Sequence, residues 1–267
     1  MTLESGTHAG RTRERDATLA AASPVGAPVP LFVNGEWSSR FPWLIQGTTG
    51  RGRGEPFDLG LSGQQPVGSV LLRWWRLRDA LGAATIVLAR QVHGRGLLFH
   101  DAPAEGIHLS GHADGHVSST PSLVLAVTVA DCVPVSVVEP ASRTVALLHA
   151  GWRGTAAGIL EAGIAAVCQR ASVEPQQLWV HCGPAICGDC YEVGPEVHVA
   201  LRLPPPGQPT PVDLRALLCA RAVQAGIPTT AVSRSSWCTR CDPSHFFSYR
   251  AGDAGRQLGL LGVRASS

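Results

Sequence analysis

The sequence predicts an α/β protein with mixed or antiparallel sheets covered by helices, folded as a single domain. First, 267 residues, 45% of them hydrophobic, are enough to bury one sizeable core. Second, several segments rich in valine and leucine have the composition of buried strands. Third, three segments with a helical spacing of apolar residues lie between those strands. Strands and helices therefore follow one another along one chain, which is typical of the α/β class.

The first 29 residues predict a disordered leader. Residues 1–29 are rich in alanine, threonine, arginine, glycine and proline and have no apolar period. The folded domain is therefore expected over residues 30–267. At its start, LFVNGEW and FPWLIQG are typical of short strands. The later segment SVLLRWWRLRDALG has helical spacing, and this helix is expected to end at Gly82.

The middle of the chain carries the strongest strand signals. ATIVLARQVHG predicts a strand that delivers His93 to its end, followed by a loop that contains several histidines. PSLVLAVTVADCVPVSVV and RTVALLHAGW are both rich in valine and leucine. Glu139-Pro140-Ala141-Ser142 has the composition of a turn, so we expect these two segments to pair as a hairpin.

Helices and strands alternate in the remainder of the chain. TAAGILEAGIAAVCQR predicts a helix directly after HAGWRG, and LWVHCGPAI predicts a buried strand. VDLRALLCARAVQAG predicts a second helix that ends at Gly226. HFFSYRAGDAGRQLGLLGV predicts two strands around a Gly-Asp turn.

The charge of the chain restricts the class of ligand. The formal net charge is +2, so no long-range field indicates a nucleic-acid or membrane partner, and we expect small or neutral ligands. All 22 basic residues are arginines, which excludes a Schiff-base lysine, a pyridoxal-phosphate anchor and a phosphate-loop lysine. Arginines, backbone amides or a metal must therefore hold any anionic group.

The sequence also predicts a cytoplasmic protein. Its N-terminus contains acidic residues and only a short apolar stretch, unlike a secretory signal, and no apolar run approaches the roughly 18 residues of a membrane span. Eight cysteines in a reducing compartment direct attention to metal binding or catalysis rather than to disulfides. Whether the chain is a monomer or a homodimer is left open.

The predicted hairpin brings a thiol and an imidazole together. If Glu139 to Ser142 form the turn, Val138 faces Arg143 and Cys132 faces His149. Directly opposed residues have Cβ atoms about 4.5–5.5 Å apart, from which both side chains can reach one metal ion.

His93, at the end of another strand, would complete a set of two histidines and one cysteine. Three protein ligands leave the fourth position of tetrahedral zinc open, which is the pattern of a catalytic site. The alternative is that Cys132 is a small core residue and that His93 and His149 are ordinary hydrogen-bonding groups.

Five motifs resemble, in order, the signatures of one family. They are QVHG (91–94), ADCVPV (130–135), HAGWRG (149–154), GPAICGDCYEVGPEV (183–197) and FFSYRAGDAGR (246–256). On these motifs, from about residue 30 to its end, the chain is identified as a member of the YfiH family, also called polyphenol oxidase or laccase-domain proteins and purine nucleoside phosphorylases.

The resemblance implies zinc bound by His93, Cys132 and His149, in a layered α/β/β/α fold. It implies phosphorolysis of adenosine, inosine and methylthioadenosine, with deamination of adenosine as a side activity. Some members are described as copper-dependent phenol oxidases, and others are linked to peptidoglycan editing. This chain departs from the family pattern at Gly50 and Asp58, where substrate contacts are expected.

Arginines are the natural phosphate ligands in a chain without lysine. Arg153 is the first candidate, since it lies at the start of a predicted helix, where backbone N–H groups favour an anion. Arg51, Arg250 and Arg256 are further candidates, each with the alternative of a surface or salt-bridge role.

Other residues of these motifs are candidates for the pocket and for proton transfer. Asp131, beside Cys132, is a candidate proton acceptor, with a structural role as the alternative. Tyr191 and Glu192 are candidates for lining the pocket.

Two CxxC pairs, Cys187/Cys190 and Cys238/Cys241, have the spacing that clamps one metal ion. Because the two pairs lie far apart along the chain, we expect reduced core thiols, with a second metal or a disulfide as the alternative.

Three other functions compete with zinc-dependent nucleoside chemistry. A copper phenol oxidase needs more histidines than the two in these motifs, so copper is disfavoured against zinc. A cysteine hydrolase or amidase, for example one that edits a peptidoglycan precursor, would use Cys132 as nucleophile and His149 as its base. A metal-stabilised binding protein would have no turnover.

Overall fold

The two large sheets of the protein are built from strands that span almost its whole length. The computed structural model describes residues 10–12, 15–19, 29–63, 65–102 and 104–265. In this part of the chain there are sixteen strands: β1 (Gly10–Thr12), β2 (Arg15–Leu19), β3 (Val29–Val33), β4 (Leu44–Thr49), β5 (Thr85–Arg90), β6 (Leu97–His100), β7 (Gly106–His112), β8 (Gly115–Ser118), β9 (Leu123–Val129), β10 (Val133–Glu139), β11 (Thr144–Ala150), β12 (Trp179–Cys182), β13 (Glu192–Val193), β14 (Thr210–Pro211), β15 (Val232–Ser235) and β16 (Gln257–Val263).

The α-helices of the described residues are fewer and lie outside the sheets. They are α1 (Gly35–Arg40), α2 (Val67–Leu81), α3 (Trp152–Ala157), α4 (Ile159–Ala171), α5 (Pro195–Ala200) and α6 (Leu214–Gln224). As predicted, α2 ends at Gly82, whose left-handed backbone (φ 62°) closes the last turn. None of the described helices is long and apolar enough to cross a membrane.

Both large sheets are mixed, as the sequence predicts. The first has the order β1-β15-β12-β10-β11-β8-β6, with antiparallel pairs at its centre and parallel pairs at its edges. The second has the order β2-β3-β4-β16-β9-β5-β7, in which β5 is parallel to both of its neighbours. β13 and β14 form a separate two-stranded sheet.

Three hydrophobic clusters place these sheets in layers. One cluster lies between the two sheets and contains Leu125 of β9, Leu147 of β11 and Leu261 of β16. Helices α4 and α6 pack on the outer face of the first sheet, and α2 packs on the outer face of the second. Because every central strand is covered on both faces, β9, β10, β11 and β16 are apolar almost throughout. The α/β/β/α arrangement is confirmed.

One segment predicted as a single strand is instead a crossing between the sheets. β9 ends at Val129 in the second sheet, and β10 begins at Val133 in the first. Asp131 turns the chain between them with a left-handed backbone (φ 85°). The two sheets lie close together next to this crossing. A Cβ built on Gly259 of β16 would lie only 2.5 Å from Cβ of Pro134 in β10. Residues 130–132 are therefore held where the two sheets meet.

The predicted hairpin exists, but its register is wrong by two positions. Glu139 pairs with Thr144, so that Pro134, and not Cys132, lies opposite His149. The turn shifts because the Glu139 carboxylate accepts hydrogen bonds from the backbone N–H groups of Ala141 (2.9 Å) and Ser142 (2.7 Å), which closes a turn over residues 140–143. An even shift keeps each side chain on its face, so Cys132 remains a diagonal neighbour of His149.

Three further predictions of secondary structure are wrong. NGEW is a helix start and not a strand, because the Asn34 side chain accepts from the N–H groups of Glu36 and Trp37. The helix predicted over 155–170 breaks at Gly158 (φ 87°), where α3 gives way to α4. Of the two C-terminal strands only β16 forms, and residues 246–256 are a loop.

The leader predicted over residues 1–29 falls largely outside the described residues, where it stays a prediction, although β1 and β2 lie within it. The histidine-bearing loop after His93 is mostly β-structure, since β6, β7 and β8 carry its histidines.

Candidate metal centre

The structure brings His93, Cys132 and His149 together where the two sheets meet. His93 follows β5 of the second sheet, Cys132 directly precedes β10, and His149 lies in β11 of the first sheet. One ligand atom from each side chain lies within 4.8 Å of the other two. His93 is exposed, Cys132 is half-buried and His149 is buried, so the cluster faces solvent on the side of His93.

A buried carboxylate, Asp114, organises this cluster. Its Oδ1 accepts from the backbone N–H of His93 (2.9 Å), and its Oδ2 accepts from the N–H groups of Gly94 (2.7 Å) and Val92 (3.2 Å). These bonds hold His93 in a left-handed conformation (φ 58°) that a residue with a side chain rarely adopts. Burial opposes the charge of Asp114, but its bonds to His149 and Gly94 keep the pKa of the carboxyl below its usual range.

Asp114 also fixes the orientation of His149. Its Oδ1 lies 2.9 Å from Nδ1 of His149 and accepts the proton of that nitrogen. Nε2 of His149 is then the nitrogen available to a metal ion, as in the carboxylate–histidine pairs of known metal sites. Asp114 was not predicted from the sequence, because an aspartate before a glycine between two strands has the signal of an ordinary turn.

The electrostatics of the cluster favour a thiolate. Burial alone would raise the pKa of Cys132, but His149 and His93 lower it to about 6. Burial alone would lower the pKa of His149, but Cys132 and Asp114 raise it to about 9. The thiolate is the form of cysteine that binds metal ions and acts as a nucleophile.

Glycine at position 151 is required by the space beside the cluster. A Cβ built on Gly151 would lie 3.0 Å from Sγ of Cys132 and 3.3 Å from Cδ2 of His93. Two imidazole nitrogens and one thiolate are donors that zinc accepts, and the solvent-facing side leaves room for a further ligand. The residues present therefore fit a bound metal ion.

Tyr191 lies near enough to Cys132 and to Arg153 for the charge of each to act on its phenol. Arg153 is exposed in α3, where its guanidinium stacks on the ring of Trp152 at 4.3 Å. Among the described residues it has no hydrogen bond or ion pair. Burial, and then the negative charge of Cys132, raise the pKa of Tyr191 to about 12. The phenol of Tyr191 is therefore protonated and can donate a hydrogen bond.

The other three candidate arginines are engaged by the protein itself. Arg51 pairs with Asp253 (Nη2 to Oδ2, 2.5 Å), and Nη1 of Arg256 donates to the backbone carbonyl of Gly255 at 2.8 Å. Nη1 of Arg250 donates to the carbonyl of Glu192 at 2.8 Å. Asp253, Gly255 and Arg250 itself all lie in the loop 246–256, so these arginines hold that loop in place.

Asp131 is bound on every side by the protein. Its Oδ1 accepts from Oγ1 of Thr239 (2.6 Å), its Oδ2 accepts from the N–H of Arg250 (2.7 Å), and its carbonyl accepts from the N–H of Ile186 (3.1 Å). These contacts tie the crossing between the sheets to the two loops that carry Tyr191 and Arg250.

The two CxxC pairs, for which the sequence predicts reduced core thiols, come together in the fold. Cys241 is exposed, Cys187 and Cys190 are half-buried, and only Cys238 is buried. All eight cysteines are free thiols.

Comparison with known proteins places the chain in a family. Residues 46–264 match the family model described as "Multi-copper polyphenol oxidoreductase laccase". The protein "Adenosine deaminase RL5" from an unknown prokaryotic organism is 37% identical over 163 residues, which cover 56% of this chain and 59% of that protein. "Purine nucleoside phosphorylase YlmD" of Geobacillus stearothermophilus is 33% identical over 208 residues, which cover 73% of each chain.

Solved structures share the fold. The crystal structure of YlmD from Geobacillus stearothermophilus superposes with a TM-score of 0.81 and 27% identity, over 93% of this chain and 100% of that chain. Bacillus licheniformis YfiH superposes with a TM-score of 0.77 and 27% identity, over 88% and 96% of the two chains. Because the family model matches far more than half of its residues, this chain belongs to the laccase-like YfiH family, as its sequence motifs predict.

Proposed function

We propose that the protein is a zinc-dependent purine nucleoside phosphorylase with adenosine deaminase side activity. The observation that carries the proposal is the cluster of His93, Cys132 and His149, which offers three donors and one solvent-facing side. Relatives named as purine nucleoside phosphorylases and as an adenosine deaminase support nucleosides as the substrate class. The proposed nucleoside substrates are adenosine, inosine and methylthioadenosine. Phosphate is the second substrate of the reaction.

The donor set favours zinc over copper. Two histidines and one cysteine also occur in blue-copper sites, but those sites usually add a weak axial methionine, and the chain's single methionine is Met1. A multi-copper oxidase needs further histidine clusters. In the part of the chain that the structure describes, the other group of potential ligands is made of cysteines alone.

Phosphorolysis requires an anion site and a donor to the departing base. It breaks the bond between ribose C1′ and the purine nitrogen and forms a bond from C1′ to a phosphate oxygen. The electron pair of the broken bond stays with the base, which takes up a proton. A zinc ion held by the cluster would supply Lewis-acid stabilisation of an oxygen ligand.

We assign the remaining tasks to residues of the chain. Arg153 binds phosphate, because its guanidinium is exposed and has no competing ion pair among the described residues. Tyr191 donates a hydrogen bond to the base, since the raised pKa of its phenol keeps the proton in place. Asp114 keeps the imidazole of His149 in one orientation during the reaction. Deamination of adenosine, in which water replaces the C6 amino group and ammonia leaves, would use the same pocket.

The reaction class is tested with the purified, zinc-loaded protein. Adenosine or inosine with phosphate should yield ribose 1-phosphate and free base, and a chelator should abolish both products. Ammonia released from adenosine without phosphate would report the side activity. The proposal fails if no purine nucleoside gives base or ammonia while a phenolic or amide substrate is turned over.

Arg153→Ala should weaken phosphate binding without removing the metal. A charge-assisted hydrogen bond is worth about 1.5–3 kcal/mol, so we expect the KM for phosphate to rise roughly 10- to 100-fold. Initial rates at varied phosphate, together with zinc analysis, measure the effect. Arg40→Ala is the control, because Arg40 is exposed and stacks on Trp179 at 4.4 Å. An unchanged KM for phosphate would move the role to another arginine.

A cysteine hydrolase or amidase is the second candidate. The lowered pKa of Cys132, about 6, beside His149 is the arrangement of an activated nucleophile and its base. Turnover of an amide by metal-free protein, abolished by alkylation of Cys132, would favour this candidate. We propose the cytoplasm as the compartment of the protein, because thiols that bind metal ions stay reduced there.

A further inference from the structure

Four thiols from two distant segments converge at a second place in the fold. Cys187 and Cys190 lie just after β12, while Cys238 and Cys241 lie between β15 and β16. Their four sulfur atoms all lie within 4.8 Å of one another. We propose that these cysteines form a second, structural metal site that binds one zinc ion through four thiolates.

The distances between the sulfurs fit a single ion. Sγ of Cys241 lies 3.4 Å from Sγ of Cys190 and 4.0 Å from Sγ of Cys187. Four thiolates at about 2.3 Å from a tetrahedral zinc ion are roughly 3.8 Å apart, between these two values. A disulfide would need sulfurs about 2.05 Å apart. An iron–sulfur cluster places several irons between its thiolates, and sulfurs this close leave no room for them.

Backbone amides already point at one of the sulfurs. Sγ of Cys238 accepts hydrogen bonds from the N–H groups of Cys187 (3.2 Å) and Cys241 (3.4 Å). Hydrogen bonds to the sulfur stabilise a thiolate and orient it, as groups around metal ligands generally do. Each of these bonds comes from another cysteine of the set, so the four residues are organised as one unit.

The backbone around the four cysteines is cross-linked without any metal. Ala185 pairs with Cys238 in an isolated parallel bridge, and the N–H of Thr239 donates to the carbonyl of Ala185 (3.2 Å). Nη1 of Arg240 donates to the carbonyl of Cys190 (3.2 Å). The two segments are therefore held in register at the point where the thiols meet, which lowers the entropy cost of binding an ion.

The number of cysteine ligands and the loops that carry them indicate a structural role for this site. Four protein ligands close the coordination shell, which is the pattern of a structural and not a catalytic zinc ion. Tyr191 directly follows Cys190, and Thr239 binds Asp131 beside Cys132. A zinc ion at the four thiols would thus hold the loops that carry Tyr191 and Thr239 against the crossing between the two sheets. That crossing carries Cys132, a ligand of the first metal site. The site needs no nucleoside chemistry, so it stands independently of the proposed function.

Zinc content distinguishes the two sites. We expect about two zinc ions per wild-type chain, one in Cys241→Ser, one in Cys132→Ala and none in the double variant. Cys241 is exposed, so its substitution should leave the fold intact. Cys168→Ser, which alters a half-buried cysteine outside both clusters, is the matched control and should keep two. Full zinc content in Cys241→Ser, or one zinc in wild type that Cys132→Ala removes, would overturn the proposal.

Two further measurements separate zinc from other states of these thiols. Cobalt substituted into Cys132→Ala should give the intense charge-transfer absorption of a four-thiolate site, and this absorption should disappear in the double variant. Thiol titration in denaturant with chelator and no reductant should count all eight cysteines. A count of six would mean one disulfide and a count of four would mean two, and either would overturn the zinc site. Iron bound in place of zinc would also overturn it. Loss of the second zinc should also lower the Tm of Cys241→Ser, while the Cys168→Ser control keeps the wild-type value.

Discussion

Cys132→Ala should lose one equivalent of zinc and almost all turnover of nucleosides. Cys132 is the only thiolate of its cluster, and without it two imidazoles are left to hold the ion. A catalytic metal ion contributes several kcal/mol of transition-state stabilisation, so kcat/KM should fall at least about 10³-fold. The readouts are zinc content and initial rates with adenosine and inosine at saturating phosphate.

The fold should survive this substitution. Cys132 is half-buried at the edge of the cluster between the sheets, so alanine leaves only a small gap. A circular dichroism spectrum like that of wild type is therefore expected, with a Tm no lower than that of wild type stripped of metal by a chelator. Cys168→Ala serves as the control for losing one thiol. Retention of all zinc by folded Cys132→Ala would show that Cys132 is not a ligand. Retained zinc with lost turnover would instead favour Cys132 as a nucleophile.

Sequence reasoning found the three candidate ligands because their positions depend on local rules. His93 and His149 lie at or near strand ends, and strand propensity is strong around both residues. The hairpin register was wrong by two positions, yet Cys132 still lies close to His149 because side chains alternate with a period of two. A shift of one position would have turned Cys132 to the opposite face.

Contacts between distant parts of the chain cannot be predicted from local sequence patterns. Asp114 acts by binding His149 and the backbone around His93, and nothing in the HADGH segment marks it apart from a turn residue. The aromatic residues of the C-terminal loop have β propensity and therefore predict a strand, whereas Arg51 and Arg256 hold the segment as a loop by contacts to its backbone. The meeting of the four cysteines likewise depends on how β12 and β15 pair in the first sheet.

Asp131→Ala should be strongly destabilising. The buried carboxylate accepts hydrogen bonds from Thr239 and from the N–H of Arg250, and alanine would leave both donors without it. Hydrogen bonds to charged groups are worth about 1.5–3 kcal/mol each, and alanine also tolerates the left-handed backbone (φ 85°) poorly. A loss near 3 kcal/mol corresponds to a fall in Tm of roughly 6–12 °C for a chain of this size.

Asp131→Asn separates this positioning role from proton transfer. Asparagine keeps the shape, retains one acceptor oxygen and tolerates a left-handed backbone, so its Tm should lie between those of wild type and Asp131→Ala. Thr239→Val, which removes the hydroxyl donor alone, should reproduce part of the loss. If Asp131 only positions the loops, kcat of Asp131→Asn should stay within about tenfold of wild type, because a general base contributes 10²–10⁴-fold. A folded Asp131→Asn with wild-type Tm, full zinc content and no turnover would identify Asp131 as the proton acceptor instead.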